Sequence, residues 1–534
     1  MNDIRNPEQR KKIQQLLAKG FNALSNGKFE LAGDCCQELL KLEPELVQGH
    51  FLVGLVGLAS KNRNIAFSAF ESVVKLDRDH AAAWAQLAKL YMSQGMVNRA
   101  DNALQHTRRI QPDDPIVLDL IGTTLSRMGE LGLAKAFFGR AHTIQPESLV
   151  FKFNLANCLV FHGETESSEL LFKEIIKVQP DNSSAHWSLS SSLKAKDQKH
   201  IKQMSKLSAK NNKNMRVKSY YQYAIGKEYE DLQQWEQAFE SFSNGAAARR
   251  ETVEFDEQSE IDMFEYLTEY FTEEWFNDGS PGHTDNSPIF VLGQPRSGTT
   301  LIERIITSHS QVKSAGELQQ FGLAIRRLSN FNDAKRFSAE MFAAAKDLDF
   351  KKVANIYLDT SKRMRGDSPR FVDKLPQNFL MLPLILKAFP NAKIIHLVRN
   401  PMDACFSSFK QLFADAYLHS YNQEEMARHH VRYRNLMQVW RERFPNSFFD
   451  ISYEETARDL EPNARALIDF LDLPWEDECL NFHQQKTAVT TASSVQVREP
   501  AHTRSIGRWR QYEQQLQPMF NTLQKHGVDA SADD

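Results

Sequence analysis

Pro288-Ile-Phe-Val-Leu-Gly293-Gln-Pro-Arg296-Ser297-Gly298-Thr299-Thr300-Leu-Ile-Glu-Arg-Ile305 is the stretch that decides the fold of the second half of this chain. Ile289–Leu292 is a short apolar run of strand type, and Leu301–His309 has the periodicity of an amphipathic helix. Between them, Gly293 and Gly298 have the G-x-x-x-x-G spacing of a phosphate-binding loop. A strand, a glycine turn and a helix start aim several backbone N–H groups at one anion. A nucleoside-triphosphatase loop needs a lysine next, to serve the β- and γ-phosphates. Thr299 stands there instead, which argues against ATP or GTP hydrolysis. A donor with a single phosphate at that end would fit, held by Arg296, Ser297, Thr299 and Thr300 around the Gly298 backbone.

Further strand-type runs follow at Phe371–Val372, Lys393–Val398 and Phe448–Ile451. Helical stretches such as Asn378–Phe389 lie between them, and this alternation predicts a parallel α/β sheet. Upstream, residues 276–288 are a cluster of turn formers and read as a linker. A second anion motif, Arg399-Asn-Pro-Met-Asp-Ala-Cys-Phe-Ser407, directly follows a strand and opens a helix. The planar fork of Arg399 and the Ser407 hydroxyl two helical turns later can face one phosphate. The competing reading of Arg399 is an ion pair with Asp403 one turn on.

The first half has a fixed period. Pro44, Pro112, Pro146 and Pro180 share a 34-residue phase, in which Arg78 holds the remaining position. Gly20, Gly54, Ala88, Gly122 and Ala156 recur on it, as do Ala32, Ala66, Ala100, Ala134 and Ser168. Small residues at two fixed places let two helices cross closely, and the glycines at 27, 95, 129 and 163 suit the turn between them. This pattern is identified as the tetratricopeptide signature, over about residues 13–182. Stacked units of that kind form a solenoid that serves as a scaffold or as a groove for a partner. The period fades after 182 and revives once at about 219–252, a degenerate or capping unit.

The net charge of −3 gives no overall attraction for nucleic acid or an anionic membrane, so any anion site must be local. Five scattered cysteines suggest neither a disulfide framework nor a zinc site, and His429, His430 and His483 lack metal-ligand spacing. The chain starts without a signal peptide and has no apolar run of about 18 residues. The sequence therefore predicts a cytoplasmic protein.

Pro295-Arg-Ser-Gly-Thr-Thr-Leu301 resembles the 5′-phosphosulfate loop of sulfotransferases, and Arg399 to Ser407 resembles their 3′-phosphate motif. The likeness runs from about 288 to 525 and includes Tyr453-Glu-Glu455 and Ser505-Ile-Gly507-Arg-Trp509. The whole pattern is similar to bacterial proteins that join tetratricopeptide repeats to a domain related to protein-tyrosine sulfotransferases. The fold implied is an N-terminal tetratricopeptide α-solenoid followed by a P-loop-like parallel-sheet α/β sulfotransferase domain. Its parts are repeats over 1–182, degenerate helices over 183–275, a linker over 276–288, the sulfotransferase domain over 289–528 and an acidic tail, free of structure, over 529–534.

The resemblance also implies a donor, 3′-phosphoadenosine-5′-phosphosulfate, with no metal required. Tyr453 would lie near the nucleotide, and Ser505 and Gly507 in a segment folded over the 3′-phosphate. In Ser314-Ala-Gly-Glu317-Leu-Gln319, Glu317 lies 21 residues after Arg296, where similar enzymes carry a base. Those enzymes have a second acidic residue beside it, and this chain has Leu318. Lys374, in Phe371-Val-Asp-Lys-Leu-Pro376, matches a Lys-x-Pro segment and with Arg296 would stabilise the leaving phosphate. The acceptor would be a hydroxyl of a peptide, protein or small molecule, with tyrosine among the options. The repeats would recruit that acceptor or another protein, and a homodimer is compatible with both halves. Two other functions stay open at this point: a non-catalytic repeat adaptor with a nucleotide-binding domain, and a P-loop kinase, which the missing lysine disfavours.

Overall fold

In two helical pairs of the first half, a glycine in the leading helix receives an aromatic ring from its partner helix. A computed structural model describes residues 7–331, 333, 335–413, 415–491 and 495–531. A Cβ added to Gly54 would stand 2.5 Å from the Phe70 ring, and one on Gly122 would stand 2.8 Å from Phe138. The second small position, Ala32, Ala66, Ala100 and Ala134, is wholly buried. Left-handed glycines at 95 and 129, with φ of 69° and 80°, turn the chain within two of the pairs. Asp114 caps the next helix through the N–H groups of Ile116 and Val117, with Pro115 in its first turn.

The chain divides into two compact units, Met1–Phe151 and Lys152–Asp534. The first holds the helices Pro7–Ser25, Phe29–Leu42, Val47–Ala59, Arg63–Leu76, Ala81–Ser93, Val97–Ile110, Pro115–Arg127 and Leu131–Ile144. The second opens with more helices, among them Met215–Asp231, Trp235–Arg250 and Glu257–Tyr270. Where the period revives, a Cβ on Gly226 would meet Phe242 at 2.7 Å, the same device as Gly54 against Phe70.

These later helices share their core with the α/β layer rather than forming a separate body. Tyr223, Phe239 and Phe242 pack with Met402, Phe406, Phe409 and Tyr512. Met263, Phe264 and Phe271 pack with Phe290 and Leu292. The stretch read as a linker, 276–288, is bound down as well: the His283 N–H donates to the Ala388 carbonyl at 2.8 Å, and Lys387 reaches Asp278 at 2.6 Å. Turn-forming residues mark where the helices stop, and here they do not mark a gap between cores. At the other end, Val528 and Ala530 are buried with Trp509 and Met519, so the acidic end is anchored up to that point. Residues 532–534 lie outside the described residues.

Among the described residues the sheet has five parallel strands: β1 Pro288–Gly293, β2 Val312–Ser314, β3 Arg370–Lys374, β4 Lys393–Val398 and β5 Phe449–Ser452. Their order is β2-β3-β1-β4-β5. Strand β2 is only Val-Lys-Ser, too short to show an apolar run in sequence. The stretch 378–389, expected as one helix, is a 3-10 turn Pro376–Met381 followed by the helix Leu382–Ala388. Pro383 has no N–H to carry a single helical ladder through that junction. The chain leaves β1 toward β2 and β3, then crosses to β4 and β5. This opens a crevice at the carboxyl ends of β1 and β4, the place where such sheets bind ligands. Among the described residues no helix is long and apolar enough to cross a membrane.

Candidate active site

The phosphate loop is built by close backbone approach. Gly293 leaves β1 with φ 146°, and a Cβ there would lie 2.8 Å from the Leu397 carbonyl oxygen of β4. Gly298 has φ 109°, and its missing side chain makes room for the Tyr453 ring, 2.5 Å from where a Cβ would stand. Between them Arg296 holds φ 67°, a costly conformation for a residue with a side chain. Ser297 turns inward and donates its hydroxyl to the Gln294 carbonyl at 2.7 Å. The helix Thr299–Thr307 starts at once, with Thr299 and Thr300 buried in its first turn.

Arg399, just past β4, closes this loop from the far side. Its guanidinium donates to the Arg296 carbonyl at 2.5 Å and to the Ser505 carbonyl at 2.8 Å, and lies 4.6 Å over the Tyr453 ring. Its Nε is buried without a partner. The alternative ion pair with Asp403 does not form. Asp403 instead accepts the Gly507 N–H at 2.6 Å and the Trp509 N–H at 3.0 Å, which pins the late segment over the site. Burial raises the Asp403 carboxyl above its ordinary range, while Arg399 and those N–H groups oppose the rise.

The outcome is a cavity lined by Arg296, Gly298, Thr300, Arg399, Ser407, Tyr453 and Ser505, together with others. Gly507 borders it through Asp403, whereas Ser297 and Thr299 are not on its wall. Two cations that sequence reading passed over belong to it. Lys410 and Arg508 line the wall, and both are held by Glu230, at 2.7 Å and 3.5 Å. Tyr512 donates its hydroxyl to the same carboxylate at 3.1 Å. Burial works against the Glu230 charge, yet Lys410 and Arg508 keep its carboxyl below the ordinary range. Burial, aided by Arg399, brings Arg296 down to about 10. Clustered cations of this kind favour a multiply charged anion.

At the end of β3, in register with Val291 of β1, stands Lys374. Its ammonium is sealed, 1% exposed, and lies 2.5 Å from the Glu317 carboxylate, whose side chain is 42% exposed. Glu303 of the phosphate-loop helix lies 3.9 Å from the same ammonium and accepts the Ser314 hydroxyl at 2.6 Å. Burial raises the Glu303 carboxyl, opposed by Lys374. Asp373, which accepts from Tyr357 at 2.9 Å, is pushed up by burial to about 7. Glu317, in the turn after β2, and Lys374, at the end of β3, are thus joined to each other, and neither lines the cavity. Glu303 had no sequence signal beyond its place on an amphipathic helix.

His429 meets Glu260 at 3.0 Å and His419 meets it at 3.3 Å, a group that three separate elements assemble. Arg432 donates to the same carboxylate at 2.6 Å, so the charge there is already answered by protein donors. The His309 Nε2–H donates to the Pro474 carbonyl at 2.8 Å, in a packing role.

Residues 288–477 match the sulfotransferase family, and residues 57–122 match the tetratricopeptide repeat. An uncharacterized protein of Aquifex aeolicus (strain VF5) is 34% identical over 57% of this chain and 41% of its own length. The protein-tyrosine sulfotransferase of Drosophila melanogaster is 26% identical over 41% of this chain and 46% of its own length. The chain therefore spans less than half the length of these relatives. Among solved structures, the sulfotransferase domain from the curacin biosynthetic pathway aligns over 45% of this chain and 99% of its own, with TM-score 0.31 and 18% identity.

Proposed function

We propose that the sulfotransferase-family domain that this chain carries, behind tetratricopeptide repeats, moves a sulfuryl group from 3′-phosphoadenosine-5′-phosphosulfate to a hydroxyl acceptor. The observation that supports this most is the convergence of Arg296, Arg399, Ser407 and Ser505, drawn from three distant stretches, on one cavity at the sheet's switch point. Such a wall fits a nucleotide with phosphates at both its 3′ and 5′ ends. Arg399 and Ser407 would hold the 3′-phosphate. The loop from Arg296 to Thr300 would hold the 5′ end.

Glu317 would take the acceptor's proton as its oxygen bonds to sulfur, while the sulfur–oxygen bond to the leaving phosphate breaks. Lys374, already hydrogen-bonded to Glu317, would steady that carboxylate and answer the negative charge growing on the leaving oxygen, together with Arg296. The exposure of Glu317 beside a sealed lysine suits a base that must meet an incoming hydroxyl. The repeats would present a peptide or protein, either as acceptor or as partner.

Equilibrium binding of 3′-phosphoadenosine-5′-phosphate, ADP and ATP, each with and without magnesium, tests this. Preference for the 3′-phosphorylated nucleotide without magnesium is expected. Preference for ATP with magnesium would overturn the reading.

A further inference from the structure

A second cavity lies behind the phosphate loop. It is lined by Gln294, His430, Arg434, Met437 and Val528, among others, and by no carboxylate among the described residues. Gln294 follows Gly293 directly and is 1% exposed, yet neither its amide nitrogen nor its oxygen has a partner. His430 is 2% exposed, and both of its ring nitrogens are without partners. Four buried polar atoms left unpaired on one wall are expensive in a folded protein and ask for a ligand. At the mouth, the exposed Arg434 makes no hydrogen bond or ion pair with the described residues.

We propose that this cavity is a binding site for a small hydroxylated organic anion. The two ends dictate the class. Burial, with Arg434 and His429 adding to it, lowers the His430 imidazole to about 3. The ring is therefore neutral and offers one donor and one acceptor. The Gln294 amide likewise both donates and accepts, so the deep end matches hydroxyl groups, which do both, better than a bare charge. The unpaired guanidinium of Arg434 matches a phosphate or carboxylate at the other end. Apolar Met437 and Val528 fill the wall between.

The site does not depend on the donor assignment, although Arg399 lines both cavities. Calorimetric titration of the full chain with glycerol 3-phosphate tests it, with methyl phosphate as the hydroxyl-free probe. Glycerol 3-phosphate is expected to bind in the presence of saturating 3′-phosphoadenosine-5′-phosphate. Arg434→Ala, on an exposed position, should weaken it by about tenfold or more. His430→Leu should abolish the preference over methyl phosphate. Absence of binding, unchanged affinity in Arg434→Ala, or full displacement by the nucleotide would each overturn the proposal. Should the nucleotide itself fail to bind, the two variants still decide the matter.

Discussion

The Lys374 ammonium and the Glu317 carboxylate are 2.5 Å apart, and only the carboxylate reaches solvent. The lysine is therefore fixed by burial, and the glutamate is aimed from a turn whose Gly316 carbonyl accepts the Lys374 backbone N–H at 3.0 Å. Strand β3 thus sets the position of the Glu317 carboxylate through its counter-ion.

Glu317→Gln should lower turnover by about 10²–10⁴ while leaving affinity for 3′-phosphoadenosine-5′-phosphate unchanged. The amide keeps the shape and loses the ability to accept a proton. Single-turnover sulfuryl transfer beside equilibrium binding checks this, and unchanged turnover removes Glu317 from the mechanism.

Arg399→Ala should weaken the 3′-phosphorylated nucleotide by about 2 kcal/mol or more, as charge-assisted bonds are lost. Its 3′-hydroxyl counterpart should lose far less. Equal losses for the two nucleotides would mean that Arg399 does not read the 3′-phosphate.

Glu230→Ala leaves the partly buried Lys410 and Arg508 without their shared carboxylate, at a cost of about 1–3 kcal/mol. Bound 3′-phosphoadenosine-5′-phosphate should return part of that loss by supplying negative charge. Melting curves with and without nucleotide test both halves: the variant should gain more from the ligand than the parent does.

Asp373 sets a pH dependence. Burial raises its carboxyl to about 7, so the folded chain keeps a proton that the unfolded chain has released. Its contribution is full below about pH 4 and is lost as pH climbs to about 7, with a total of at most about 4 kcal/mol. Urea unfolding at pH 5 and pH 7.5 should show Asp373→Asn losing less stability than the parent over that interval.

The phosphate loop and Arg399 were legible because each directly follows a strand, so local sequence alone fixes which atoms face the crevice. Glu230, Lys410 and Arg508 carry no such mark. They come from helices and a late segment that meet only through tertiary packing around Tyr223, Phe406 and Tyr512. The 34-residue period revealed the helical pairs from their small residues, because those contacts lie within a pair. It could not show that the helices after Phe151 share a core with the sheet, since that depends on outward faces whose partners lie far along the chain.

The clamp of Asp403 on the Gly507 and Trp509 N–H groups has a consequence for how the protein is made. On the ribosome, the phosphate loop emerges some two hundred residues before the segment that covers it. Until that segment arrives, Arg399 lacks the Ser505 carbonyl it donates to, and the loop has no roof. A nascent chain stalled before residue 505 would hold every cation of the loop and strand ends, yet leave the cavity an open bowl. Assembly of the site therefore waits on the stretch that carries Ser505, Gly507 and Trp509.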